Sequence, residues 1–233
     1  VTLKDQFIDL LPDTKLVSFF AMTEAGGVTS LSHEEQFTHP TSVGRPTPGI
    51  EVRVVNDAGG DLATGEIGEL LVRSGPPGAY TVMKGYLNRR EETAAALRDG
   101  WFYTGDLGYR DNDGYLYIAD RKKDMILSGG FNIYSKEVEG ALASHPDVAD
   151  AAVIGVGDEM YGEAVAAFVE TEAGAQPTED QLIDHCRSMI ASYKKPKYVV
   201  FLDALPRNAV GKVLKRELPA LAPETLQPFL KKS

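Results

Sequence analysis

Through the first half of the chain, short apolar runs alternate with glycine-rich or Asx-rich turns at hairpin spacing, and such a backbone folds most readily as antiparallel β structure. Ile50 to Val54 (IEVRV) alternates apolar and polar residues, and Asn56 to Asp61 (NDAGGD) supplies turn residues that tolerate positive φ. Gly68 to Arg73 (GELLVR) is expected to pair back across that strand. Asp111 to Gly114 (DNDG), followed at once by Tyr115 to Ile118 (YLYI), predicts a second hairpin. One helix is expected between them. Asn88 and Glu91 have capping-box spacing, Thr93 to Leu97 favours helix, and Gly100 suits the position just past its end.

The pattern changes at Asp120 to Asp124 (DRKKD), a charged run without alternation, which reads as a domain boundary. Beyond it helices and strands interleave. Lys136 to Ser144 places Val138, Ala141 and Leu142 on one helical face before Pro146, and Ala151 to Val156 reads as a buried strand. Thr178 and Gln181 form a capping box ahead of a stripe of Leu182, Ile183, Cys186, Met189 and Ile190, and Tyr198 to Leu202 predicts a further strand. The fold class is α+β, with residues 1–122 rich in β structure and residues 123–233 forming a small α+β domain.

Composition narrows the partners. The net charge of −10 argues against nucleic acid or an anionic membrane. The lone Cys186 excludes an internal disulfide or a cysteine-based zinc cluster, and the four histidines lack ligand spacing. No apolar run reaches the roughly 18 residues of a membrane span, no secretory signal is evident at the N-terminus, and a reducing, cytoplasmic setting is expected.

Four glycine-punctuated segments carry polar residues that neither alternation nor a helical stripe explains. Ser18 to Gly27 (SFFAMTEAGG) sets Thr23 and Glu24 at a strand end beside a glycine pair, where a ligand can approach the backbone. Trp101 to Leu107 (WFYTGDL) sets Asp106 behind three aromatics, suited to accept hydrogen bonds from a sugar diol. Asp120 to Ile133 (DRKKDMILSGGFNI) carries Arg121, Lys122 and Lys123 before Gly129 and Gly130. Pro206 to Arg216 (PRNAVGKVLKR) delivers Lys212 after a glycine, although the full phosphate-loop pattern is absent. Taken singly, a turn, a capped aspartate or a solvated linker accounts for each.

Together, and in this order, these segments resemble the motifs of the adenylate-forming superfamily, the AMP-forming acyl-CoA and aryl-CoA ligases. SFFAMTEAGG is similar to the Tyr-Gly-x-Thr-Glu segment, GELLVRSGPPGAYTVMKGYLN to the Gly-Glu-Leu to Gly-Tyr segment, and FYTGDL to the Thr-Gly-Asp motif. DRKKDMILSGGFNIYSKEVE resembles the hinge and its following loop, and LPRNAVGKVLKREL the C-terminal lysine motif. The resemblance covers about Ser18 to Leu218. Phe20 and Ala21 replace the usual Tyr and Gly, which keeps an aromatic face but removes a hydroxyl. The family's upstream phosphate-wrapping loop and most of its acyl pocket have no counterpart here. The chain is therefore expected to be the C-terminal part of a longer enzyme, incomplete and inactive for adenylation alone, with the missing N-terminal part as a partner.

The resemblance implies a distorted β-barrel-like portion of the large domain followed by a small mobile domain. It implies ATP, Mg²⁺ and coenzyme A as cofactors, and a fatty or aryl acid as substrate. A carboxylate attacks the ATP α-phosphate, and CoA then displaces AMP. The first step brings two anions together, and at about 4 Å and a dielectric near 20 one such pair repels by roughly 4 kcal/mol. Lys212 matches the lysine that bridges them. Glu24 matches the Mg²⁺ ligand, Thr23 the hydroxyl on the α-phosphate, and Asp106 the acceptor for the ribose hydroxyls with Arg121 nearby. Phe20 would lie against adenine, Lys123 matches the hinge, and Gly129 and Gly130 match the loop along the pantetheine path. A peptide-synthetase adenylation domain and a non-catalytic fragment binding AMP or a partner are the alternatives.

Overall fold

The computed structural model describes residues 3–75 and 82–230, and the chain divides into two compact units, Val1–Lys122 and Lys123–Ser233. In the first unit, α1 (Leu3–Leu10) precedes β1 (Ser18–Met22) and β2 (Gly26–Leu31), an antiparallel pair. A short α2 (Glu35–Thr38) leads to β3 (Arg45–Pro46), which completes a three-stranded sheet on β2. Ser32 and Glu35 exchange reciprocal bonds at the start of α2, Ser32 N donating to the carboxylate and Glu35 N to the hydroxyl.

A second sheet holds β4 (Ile50–Val55) and β5 (Gly68–Ser74). After α3 (Arg90–Ala96) come β6 (Leu97–Arg98), β7 (Trp101–Arg110) and β8 (Leu116–Arg121). Its order is β4-β5-β7-β6, with β8 also paired to β7. Both expected hairpins are present: β4 and β5 pair from Ile50–Ser74 to Val55–Glu69, and Arg110 faces Leu116 across the DNDG turn. Register shifts between Glu69 and Leu71 and between Leu107 and Gly108 bend the strands. The resulting curled half-barrel closes on Val28, Val52, Leu70, Val72, Phe102 and Leu116, against which Phe20 and Met22 of β1 also pack.

The expected cap of the middle helix is not formed. Asn88 sits in the left-handed region at φ 59°, so the helix begins after Arg89 without a side-chain cap. Gly100 does not end that helix either. Asp99 and Gly100, at φ 50° and 81°, make the two-residue turn between β6 and β7, and both residues must adopt positive φ for the turn to match the twist of its strands.

The second unit contains β9 (Ile126–Ser128), β10 (Phe131–Ile133), α4 (Ser135–Ala143), β11 (Val148–Asp158) and β12 (Gly162–Thr171). It continues through α5 (Glu179–Met189), β13 (Tyr198–Leu202) and α6 (Leu218–Leu221). The sheet order is β10-β9-β12-β11, and β13 runs parallel to β12. Alternation along β12 explains the two-layered core. Val165, Ala167 and Val169 face a cluster with Val138 and Leu142 of α4 and Leu182 and Cys186 of α5. Ala164, Ala166 and Phe168 pack with Leu205, Leu218 and Leu226. The Thr178–Gln181 capping box forms as expected. Met189 departs from the expected stripe: it ends α5 and is 57% exposed, while Ile190 packs on the core.

Candidate functional site

Thr23 and Glu24 occupy the turn between β1 and β2, closed by Ala25 N donating to Met22 O at 3.2 Å. Glu24 is half-buried, and its carboxylate Oε1 accepts from the Tyr86 hydroxyl at 3.0 Å. Beside it the backbone is open, since a Cβ at Gly26 or Gly27 would meet nothing within 4 Å. Thr23 is exposed. Phe20 is partly buried against the half-barrel core, whereas Phe19 is the exposed ring of the pair.

The Thr-Gly-Asp segment lies within β7, opposite the end of β8. Thr104 Oγ1 donates to Leu70 O at 2.8 Å and accepts from Asp106 N at 3.0 Å, which fixes the turn of the chain at Gly105. Asp106 is buried and faces Arg121 in the β7–β8 register, so Arg121 Nη1 donates to Asp106 Oδ1 at 2.7 Å. A neighbouring carboxylate escaped the sequence reading. Glu69 Oε1 accepts from Gly105 N at 3.3 Å and its Oε2 from Lys122 Nζ at 2.9 Å, while Lys122 also pairs with Asp57 at 2.7 Å. Burial opposes the charge on Lys122, but the bonds to Asp57 and Glu69 outweigh it and raise its pKa. Far from forming a solvated linker throughout, the DRKKD run begins with a buried Asp120 and two paired cations, Arg121 and Lys122.

Burial, then the bond to Glu24 and the charge of that carboxylate, push the Tyr86 phenol pKa up. Tyr86 lies in the Gly-Glu-Leu to Gly-Tyr segment, whose sequence alone assigns it no role. Residues 76–81, in the middle of that motif, lie outside the described residues.

In the second unit, Lys212 is exposed on a loop organised by Asn208, whose Oδ1 accepts from Val210 N at 3.1 Å and Lys212 N at 2.9 Å. Arg207 braces the loop, donating to Gly211 O at 3.0 Å and pairing with Asp150. Lys215 anchors the far end to α4 through Ser135 at 2.7 Å and Glu139 at 2.6 Å. Lys123 is exposed in a single 3₁₀ turn, Lys122–Asp124. Gly129 and Gly130, at φ 57° and 83°, form the β9–β10 turn, and a Cβ on Gly129 would come within 3.2 Å of the Tyr161 ring. Among the described residues no cluster of three or more His, Cys, Asp or Glu side chains can hold a metal. A lone carboxylate such as that of Glu24 could supply one oxygen ligand to a hard ion whose other ligands come from phosphate and water.

Two family models match the chain. Residues 1–87 match the family model described as AMP-binding enzyme, and residues 137–212 match the AMP-binding enzyme C-terminal domain. The chain is 46% identical to a 2-succinylbenzoate–CoA ligase from Geobacillus kaustophilus over 90% of its own length and 42% of that protein's. It is also 46% identical to a long-chain-fatty-acid–CoA ligase from Bacillus subtilis over 88% of its length and 36% of that protein's. The solved structure of the o-succinylbenzoate CoA synthetase from Bacillus subtilis with its acyl-adenylate superposes with a TM-score of 0.81 at 36% identity, covering 91% of this chain and 43% of that one. The chain belongs to the AMP-binding enzyme family, the adenylate-forming acyl- and aryl-CoA ligases. It spans about two-fifths of the length of the relatives it matches.

Proposed function

We propose that the protein containing this chain activates a carboxylic acid, fatty or aryl, with ATP and transfers it to coenzyme A. Residues 1–122 serve as the C-terminal part of a large adenylate-forming domain, and residues 123–233 as its small mobile domain. The observation that carries this reading is the buried Asp106 held by Arg121 on the Thr-Gly-Asp strand. A carboxylate fixed by one cation keeps a second oxygen to accept ribose hydroxyls. The relatives named as CoA ligases, and a synthetase solved with ATP and a magnesium ion, support ATP, Mg²⁺ and CoA as its ligands.

In this reading Glu24 and Thr23 face the phosphates, Glu24 as a ligand of Mg²⁺ and Thr23 as a donor to the α-phosphate. Bound Mg²⁺ would neutralise phosphate charge. Lys212 offsets the repulsion between substrate carboxylate and α-phosphate, and Phe20 borders the adenine. Rotation about Lys123 then exchanges the Lys212 loop for the Gly129–Gly130 turn, whose missing side chains leave room for the pantetheine arm. A buried, unpaired Cys186 fits a cytoplasmic setting, and no helix of the described residues is long and apolar enough to cross a membrane.

The test is carboxylate-dependent AMP release, with ATP, Mg²⁺, CoA and a panel of fatty and aromatic acids, from both this chain and the longest protein its reading frame encodes. AMP release from the longer protein is expected, and its absence for every acid in a folded sample would overturn the reading.

A further inference from the structure

Glu24 is held twice by one short segment. Its carbonyl accepts from Met83 N at 2.7 Å and its carboxylate Oε1 from the Tyr86 hydroxyl at 3.0 Å. That segment is itself braced on α3, because Tyr86 N donates to Thr93 Oγ1 at 2.9 Å and Thr93 Oγ1 donates to Arg89 O at 2.7 Å. Gly85 permits the approach. At φ 148° its absent Cβ would lie 2.7 Å from the Thr93 methyl, so a side chain there would push the segment off the helix.

We propose that Tyr86 is a positioning residue that fixes the rotation of the Glu24 carboxylate, holding Oε1 so that Oε2 is presented to a divalent cation bound with a nucleoside triphosphate. This rests on the reading of Glu24 as the cation ligand. Among the described residues none bonds Oε2 of Glu24, and the adjoining backbone at Gly26 and Gly27 is open. The choice of partner matters chemically. An arginine or lysine at this distance would cancel the charge the cation needs, whereas a neutral phenol orients the carboxylate and leaves its charge intact. α3, Thr93 and Gly85 then act together as the frame that keeps the phenol in place.

The experiment uses the longest protein the reading frame encodes, with Tyr86→Phe, Glu24→Gln and the double variant. Free Mn²⁺ is measured by electron paramagnetic resonance in the presence of ATP and without acid, and Mg²⁺ activation of AMP release is titrated separately. Glu24→Gln is expected to weaken Mn²⁺ binding by about tenfold or more, and Tyr86→Phe by about threefold to tenfold, the scale of one ordinary hydrogen bond. The Tyr86→Phe protein should recover most of its rate at saturating Mg²⁺, and the double variant should be no weaker than Glu24→Gln alone. An unchanged Mn²⁺ affinity in Tyr86→Phe beside a clear loss in Glu24→Gln overturns the inference and spares the reading of Glu24. No loss in Glu24→Gln overturns both. Additive losses in the double variant also overturn the inference, because Tyr86 would then act other than through Glu24.

Discussion

Glu35 offers a quantitative test of how the first unit is held together. Its carboxylate accepts from Ser32 N at 2.8 Å, from the Tyr115 hydroxyl at 2.8 Å and from Arg45 Nη2 at 2.6 Å, tying α2 to β3 and to the start of β8. The backbone bond from Ser32 leads, followed by Tyr115, and together with Arg45 they hold its pKa at about 2 against an ordinary value of 4.5. A carboxylate whose folded pKa lies below its unfolded one contributes stability that is complete above the unfolded value and is lost as pH falls through the folded one. Taken in full, that shift is worth about 3 kcal/mol near neutrality, of which about 2 kcal/mol would disappear from about pH 6 to about pH 3. Arg45 is 55% exposed, so solvent screens part of this, and about 1 kcal/mol is the expected pH-dependent loss. Glu35→Gln should lack that component while remaining folded. Trp101 is the only tryptophan and lies in the first unit, so urea unfolding followed by its fluorescence reports on this unit. Wild type should lose about 1 kcal/mol more than Glu35→Gln over the acid range. Parallel losses would refute the assignment.

The proposed chemistry and the second core give further expectations. Lys212→Ala should abolish adenylate formation but largely spare thioester formation from supplied acyl-adenylate, and equal loss of the two half-reactions in rapid-quench assays would refute that division. Lys123→Pro fixes φ at the proposed hinge and should slow thioester formation more than adenylation; an unchanged thioesterification rate would count against it. Leu182→Ala removes a fully buried side chain between α5 and the sheet and should cost about 2–5 kcal/mol, read as a lower midpoint of chemical unfolding by far-ultraviolet circular dichroism. A loss well under 1 kcal/mol would mean that α5 is not packed as described.

The hairpins were legible because their information is local. Alternation in IEVRV and the NDAGGD and DNDG turns specify both strands and the connection between them, and the strands pair as that pattern requires. β12 carried no such signal. Buried on both faces, GEAVAAFVET has apolar residues at successive positions, so it shows neither strand alternation nor a helical stripe. Two capping boxes looked alike on paper, yet only Thr178 and Gln181 formed one. Around Asn88, Thr93 is engaged with Arg89 and the Tyr86 backbone, and Asn88 itself turns left-handed ahead of the helix.

The candidate site divides along the same line. Glu24, Asp106, Arg121 and Lys212 are proposed from motifs whose order carries information that no single segment holds. Glu69 and Tyr86 were not assigned, because what they do depends on partners 53 and 62 residues away. Both are carboxylate-centred contacts between segments far apart in sequence. Glu69 joins the backbone of Gly105 to Lys122, and Tyr86 reaches the turn after β1 from the segment before α3. Motifs thus name the groups proposed to face a ligand, while the contacts around them depend on how distant segments fold together. A substitution that shifts the register of β5 on β7 should consequently disturb Asp106 and Lys122 together, through Glu69, without touching either residue.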